Sequence, residues 1–533
     1  MTARPRLATA SRLLVLLFAG ACNQSKAPPS TASGGAGSDA GEAGSGGSGG
    51  GGSGGGDAAG GSSGGNAAGG SSGATGGSAG AATSDGAAGL GGANAGAAAG
   101  STASMPPGQC STAAAGPAPP AGFTKADPID THFPFSTHFM GVFSDNPSCI
   151  GMTSMSDIDN DGDQDFSSGQ RDVGCSGKTN AGAPILWWEY CTPDHWVRHN
   201  VGTGYQSQAG GGAGDFDGDG WVDLVAGDSW FKNPGSGVRS AAQWPRFVTG
   251  APGLTEQIAV GDLAGDSRFE VLYVQRSFRP QWWGPGADPT KAWTMGSFLS
   301  FAQQQGGSIG DLDGDGKNDI VVGDRWWYRN ATGWPAVPIM TSSAFSTVGG
   351  ADGSSAITAM ADVDGDGDLD ILVQEHWGTN LGWFENGDGK GTAWVLHMIA
   401  GAGGPFAAKT RSILHGVLGY DFDNDGDIDI LSTENQGQIW IYENMNGKGL
   451  FAEHVVAAGG AHDPRVADVD CDGDLDFVGV PWGDLSDGSA GQSETIRSHV
   501  YFKNELVERG GPAVFARPKG EVWNVPNKGA CRR

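Results

Sequence analysis

The residues with the clearest chemistry are carboxylates at regular spacing. Asp311, Asp313, Asp315 and Asp319 stand at positions 1, 3, 5 and 9 of a short segment with Gly316 at position 6. Alternate side chains of a tight turn converge on one point. The glycine permits the bend, and the carbonyl at position 7 adds another oxygen. Hard oxygen donors at this density select calcium. Without a cation, carboxylates so close together repel and take up protons. Five more segments repeat the pattern: Asp157, Asp159, Asp161 and Asp165; Asp215, Asp217, Asp219 and Asp223; Asp362, Asp364, Asp366 and Asp370; Asp421, Asp423, Asp425 and Asp429; Asp468, Asp470, Asp472 and Asp476. A seventh, from Asp262, has Ala264, Ser267 and Glu270 in place of the second Asp, the Gly and the last Asp. The expectation is about six Ca2+ sites, with the turn at Asp262 kept for structure and its calcium weak or absent.

An EF-hand shares the opening of this motif but needs a bidentate Glu at position 12 and flanking helices. Position 12 here is Ser168, Val322, Val373 or Ser432, and apolar or β-branched residues follow position 9. The loops therefore sit between strands. Their starts are 58, 47, 49, 51, 59 and 47 residues apart, a period that marks a propeller or array.

Each loop lies in a larger unit. A small-residue or apolar segment precedes it, and a β-rich run such as Asp319-Ile320-Val321-Val322 follows. Next comes an aromatic segment ending in Asn, as in Trp230-Phe231-Lys232-Asn233, Trp327-Tyr328-Arg329-Asn330 and Trp383-Phe384-Glu385-Asn386. A Gly-rich turn leads to a fourth run that often carries His (His199, His397, His454). Short runs with Gly and Asn punctuation read as strands. Four strands in each of seven units give an all-β, seven-bladed β-propeller. The repeated histidines read as structural, and the third-strand aromatics as packing between blades. Residues 130–150 and the segments Val500 to Asn504 and Ala513 to Ala516 supply strands at both ends for ring closure.

The Asp loops followed by Ile/Leu/Val strands resemble FG-GAP/VCBS repeats, the blade type of the integrin alpha-chain head. The resemblance covers roughly residues 135–510. It implies the propeller fold and calcium in the loops but leaves function open. Similar propellers occur in adhesins, lectin-like modules, polysaccharide lyases and a sugar dehydratase.

If the Asp loop joins the first and second strands, calcium lies on one face of the disc. The other face is built from residues before the first strand and from the loop after the second. Candidates there are Glu256, Arg276, Arg325, Glu375, His376, His415, Glu434 and His462. Such a ring suits a polar ligand or a sugar, and its histidines with Glu375 or Glu434 suit a divalent metal. Charged loop ends are also commonly just solvated.

The start of the chain reads as an address. Arg4, Arg6 and Arg12 precede the apolar run Leu13 to Phe18, and Ala19-Gly20-Ala21 leads into Cys22. This resembles a bacterial lipoprotein signal over residues 1–22, with Cys22 lipidated. Residues 23–119 are a Gly/Ser/Ala- and Pro-rich tether that cannot bury enough apolar surface to order itself, with an r.m.s. span of about 50 Å. The expected propeller domain is 120–533. Six further cysteines suit disulfides in an exported chain. Spacing favours Cys175 with Cys191, and Cys110 with Cys531 would tie the ends, among other pairings. The formal charge of −28 argues against nucleic acid as a partner. Beyond residue 22 no apolar run is long enough to cross a bilayer as a helix. The expectation is a lipid-anchored protein at the outer membrane or cell surface, with a glycan or extracellular protein as partner. Its function would be a calcium-stabilised binding or adhesion module. The alternatives are a carbohydrate-active enzyme (a polysaccharide lyase or sugar dehydratase) and a structural spacer.

Overall fold

The computed structural model describes residues 125–142, 150–170, 184–205, 211–339 (except 254, 256, 275–278, 299–305 and 324), 355–406 (except 377), 414–480 (except 435–436) and 498–516, with Cys110 and Cys531. The chain divides into two compact units, residues 1–94 and 95–533. The first unit, with Cys22 and the signal-like segment, lies outside the described residues, as does the tether apart from Cys110.

The described strands form seven four-stranded antiparallel sheets. The blades are numbered from the first Asp loop. Their first strands are Ile150–Ser156, Gly211–Gly214, Gln257–Gly261, Gly307–Gly310, Ser355–Ala361, Leu414–Tyr420 and His462–Ala467. First strands of neighbouring blades touch all the way round, the seventh against the first, so they form the inner ring. This explains the small residues before each Asp loop. A Cβ on Gly212 would lie 2.7 Å from Val260 of the next blade, and one on Gly261 would lie 2.9 Å from Ile309. Glycine lets the inner strands approach that closely.

The ring closes on the seventh sheet. His462–Ala467, Asp476–Val480 and Ser498–Asn504 are completed by the N-terminal strand Phe135–Val142, which pairs with Ser498–Asn504 with Phe139 opposite Val500. Only this part of the expected closure is a strand. The segment 513–516 makes none, and Val514 instead donates its N–H to the Gly473 carbonyl at 2.8 Å.

The core lies between blades. One cluster joins Phe422, Leu431 and Ile439 of blade 6 to Phe477 and Phe502 of blade 7 and to Phe135. Trp187, Trp188, Trp230, Trp327, Tyr442 and Tyr501 on third strands are fully buried, so these aromatics are core, as the repeat indicates.

The disulfides correct the expected pairings. Cys110 is bonded to Cys191 and Cys471 to Cys531. Spacing along the chain misleads because Cys191 lies next to the end of a third strand and Cys471 sits inside an Asp loop, each met by a cysteine from far along the chain. Cys149 and Cys175 lie outside the described residues.

Candidate metal loops and the opposite face

Every Asp loop joins the first and second strands of its blade. The carboxylates fold it. The position-1 Asp accepts the position-5 N–H, as Asp362 does from Asp366 at 3.1 Å and Asp421 from Asp425 at 3.1 Å. The position-5 Asp accepts the position-7 N–H, as Asp366 does from Asp368 at 3.2 Å. Positions 4 and 6 both take positive φ, as at Gly365 (63°) and Gly367 (101°), which is why Gly or Asn recurs there. The position-9 Asp has a role that spacing did not show. One oxygen accepts the position-2 N–H and the other accepts a third-strand N–H, as Asp429 does from Phe422 (3.2 Å) and Asn444 (2.9 Å). It pins the loop to the sheet.

Position 3 is different. Oδ1 of Asp159, Asp217, Asp364 and Asp470 is buried with no hydrogen-bond partner among the described residues. Such oxygens are costly unless something positive meets them. Positions 1, 3 and 9 of loops 1 and 2 and positions 1, 3 and 5 of loop 4 also group closely enough to share one ion. The donor set therefore fits a hard cation. Burial and the charge of Asp161 push Asp159 up to about 8 and Asp163 up to about 9, and burial pushes Asp370 up to about 8. Lacking a cation, these loops hold protons instead of full charge.

The loops differ in what else reaches them. The third-strand residue just before the Asn position faces the loop. It is Lys232 in blade 2, and its ammonium pairs with Asp217 and Asp219. In blade 7 it is Lys503, which pairs with Asp470, Asp472 and Glu508. Both lysines bridge positions 3 and 5. In loop 1, Arg239 from the short 3-10 helix Gly235–Ser240 bridges Asp159 and Asp161 at 2.7 Å each and reaches Glu189. In blades 5 and 6 the facing residue is Glu385 or Glu443, which adds a carboxylate; His132 bonds Asp423 and Glu443 in loop 6. The repeated histidines partner these glutamates. His199, His397 and His454 bond Glu189, Glu385 and Glu443 at 2.7, 2.6 and 2.8 Å.

The Asn that ends the third strand staples blades together. Nδ2 of Asn233, Asn386, Asn444 and Asn504 donates to the position-2 carbonyl of the preceding blade, from Ile158, Leu312, Val363 and Phe422 respectively, at 2.8–3.0 Å. In blade 4 the sequence suggested Asn330, but Arg329 holds this place: its N–H meets Asp319, and its guanidinium donates to the Leu263 carbonyl at 2.9 Å. In loop 3, Glu270 takes over position 9, accepting the N–H groups of Leu263 and Ala264, so the turn is kept.

On the other face, His415 and His462 lie at the starts of the first strands of blades 6 and 7, second and first in their strands. Their rings stack at 3.7 Å and 28°. Asp463, a residue the sequence reading did not single out, lies 3.0 Å from His462 Nδ1 and 3.6 Å from His415 Nδ1. Glu375 and Glu434 lie on the second strands of blades 5 and 6. Each caps the turn after its second strand, accepting the N–H of Thr379 (3.3 Å) and Gln438 (2.9 Å). Arg325 and His376 lie on strands with side chains outside the described residues, as do Glu256 and Arg276 altogether.

Residues 311–373 and 421–479, covering loops 4 to 7, match the family of FG-GAP-like repeats. No match is found among the curated proteins. Solved structures with similar folds include BBS1N in complex with ARL6DN (9% identity, 67% of this chain and 94% of that one, TM-score 0.39). Others are an Agrocybe aegerita lectin specific for non-reducing terminal N-acetylglucosamine (15%, 67% and 88%, 0.32) and Saccharomyces cerevisiae Sqt1 (8%, 71% and 99%, 0.40). None of these likenesses bears on what this chain binds. The architecture is in general one of binding and adhesion-type modules. With seven four-stranded blades, and FG-GAP-like repeats in residues 311–373 and 421–479, the chain is a seven-bladed β-propeller that carries FG-GAP-like repeats.

Proposed function

We propose that this protein is a calcium-stabilised binding module, held at a bacterial cell surface by a lipid on Cys22, that takes an extracellular glycan or protein on the face opposite its Asp loops. The observation that carries the calcium reading is the buried, unpartnered position-3 oxygen repeated in four loops. A cation bound there acts on the folded state alone and so stabilises it. Loop 5 is the strongest site, because Asp364 keeps that oxygen without the bridging cation found beside it in the other three. Loops 1, 2 and 7 already hold a guanidinium or ammonium between positions 3 and 5. The polar cluster at the inner ends of blades 6 and 7 supports a ligand on the other face.

The test is a calcium titration of the chelated protein, read by heat and by melting temperature, followed by a glycan array with the calcium-loaded form beside His415→Ala and Glu434→Ala. Several equivalents of calcium with a higher melting temperature support the first half, and no binding removes it. Glycan capture lost in His415→Ala places recognition on this face; capture unchanged in both variants moves it elsewhere.

A second reading, a lyase or dehydratase, is favoured by one observation. Two imidazoles and a carboxylate meet where His415 and Asp463 keep part of their exposure, and a base beside a sugar carboxylate is what proton abstraction requires. Release of an unsaturated uronide from polysaccharide, lost in His415→Ala, would support it.

A further inference from the structure

We propose that His415, His462 and Asp463 form a site for one divalent transition metal of the zinc class, distinct from the acidic loops and on the opposite face. Two β-bulges build it. In blade 6, Leu414 pairs with Glu434 and Gly416 with Thr433, so His415 is the extra residue. In blade 7, His462 pairs with Val480 and Arg465 with Val478, which leaves Asp463 and Pro464 opposite Gly479 alone. Bulges re-aim side chains and recur beside functional sites. Here two neighbouring inner strands each carry one at the same end, and the bulged residues His415 and Asp463 are the ones that meet.

The surroundings hold this shape. Asp463 takes φ of +48°, unusual for a residue with a side chain. A Cβ on Gly416 would lie 2.4 Å from Pro464 Cδ, so only glycine lets the two bulges close together. Arg465 donates to the carbonyls of Asp463 and Pro464 at 3.4 and 2.9 Å, tying down the backbone of the bulge. The stacked rings turn both Nδ1 atoms toward the one carboxylate.

Two imidazole nitrogens and a carboxylate oxygen suit zinc and its neighbours, whereas calcium prefers all-oxygen cages. Three protein ligands leave a coordination position open. His462 is buried, while the side chains of His415 and Asp463 keep 13% and 17% of their exposure, so an ion and a fourth ligand can enter. The position at the inner end of two blades would present that fourth ligand to the face proposed for recognition.

The experiment uses the full chain, chelated and then saturated with calcium. Zn2+ is titrated with dialysis and metal analysis, and Co2+ with visible absorption. The wild type should bind one more equivalent of zinc than His415→Ala, His462→Ala or Asp463→Asn, and its cobalt form should show nitrogen-ligated bands that the variants lack. Calcium stoichiometry should be the same in all four. Equal zinc stoichiometry and affinity in wild type and His415→Ala would overturn the proposal and leave the trio as a hydrogen-bonded Asp–His cluster. His462 is buried and its replacement endangers folding, so the more accessible His415→Gln carries the test if His462→Ala does not fold.

Discussion

Asn444 of blade 6 donates from Nδ2 to the Val363 carbonyl of blade 5 at 2.8 Å and to the Ile428 carbonyl of its own loop at 3.2 Å, while its Oδ1 accepts the Gly449 N–H at 3.0 Å. One fully buried amide thus joins two Asp loops and a turn. Asn444→Ala strands two buried carbonyls and an N–H, at a cost of about 2–4 kcal/mol. Urea unfolding should show that loss. Asn446→Ala on the exposed turn beyond it should cost less than about 1 kcal/mol. Equal small losses would mean the staple contributes little to blade packing.

Lys232 sits between Asp217 and Asp219, where a calcium ion would draw on the same oxygens. Lys232→Met removes that competing charge but keeps the apolar stem. Calcium affinity at loop 2 should rise by about tenfold, roughly 1.4 kcal/mol in a half-exposed loop. The calcium-free variant should be less stable than the wild type, since Asp217 and Asp219 lose the ammonium that pairs with them. Calorimetry beside a thermal melt in chelator reads both effects. An unchanged binding curve would show that the ammonium moves aside without cost.

What the sequence disclosed and what it hid follow one physical division. The blades and loops were legible because the carboxylate spacing, the glycines at positive φ and the strand alternation are all local. The role of the position-9 Asp, the Arg329 substitution for the Asn staple and the pairing of Cys471 with Cys531 depend on which chain segments meet across the ring. The His415–Asp463 contact was hidden for a different reason. A bulge changes where a side chain points without leaving a clear trace in composition, so the histidines were recognisable as candidates while their carboxylate partner was not.

The Cys471–Cys531 bridge anchors the end of the chain to loop 7, where Cys471 holds a left-handed φ of 61°. The bond closes a segment of 60 residues that includes the third strand of blade 7. Cys531→Ser should lower stability by about 2–4 kcal/mol. Limited proteolysis should then cut beyond Asn504 in the variant sooner than in the wild type. Identical cleavage patterns would show that the contact of Val514 with Gly473 holds the segment by itself.

His499 gives the seam between blades 7 and 1 a pH dependence. It lies fully buried between Phe166 and Trp188, and its Nε2 meets Ser168 Oγ at 2.8 Å. Burial lowers its pKa to about 3. Below the unfolded value of about 6.5 the unfolded chain takes a proton that the native chain refuses, so the native state loses up to about 1.4 kcal/mol for each pH unit between there and the native pKa. Above about 6.5 the effect is absent. His499→Gln removes this slope and leaves the acidic loops as they were, so the two proteins should differ in how stability changes from pH 7 to pH 5. With calcium saturating, the difference in unfolding free energy between wild type and variant should shift toward the variant as pH falls. A difference constant across that range would mean that His499 takes up its proton in the native seam as readily as in the unfolded chain, so that burial there shifts nothing.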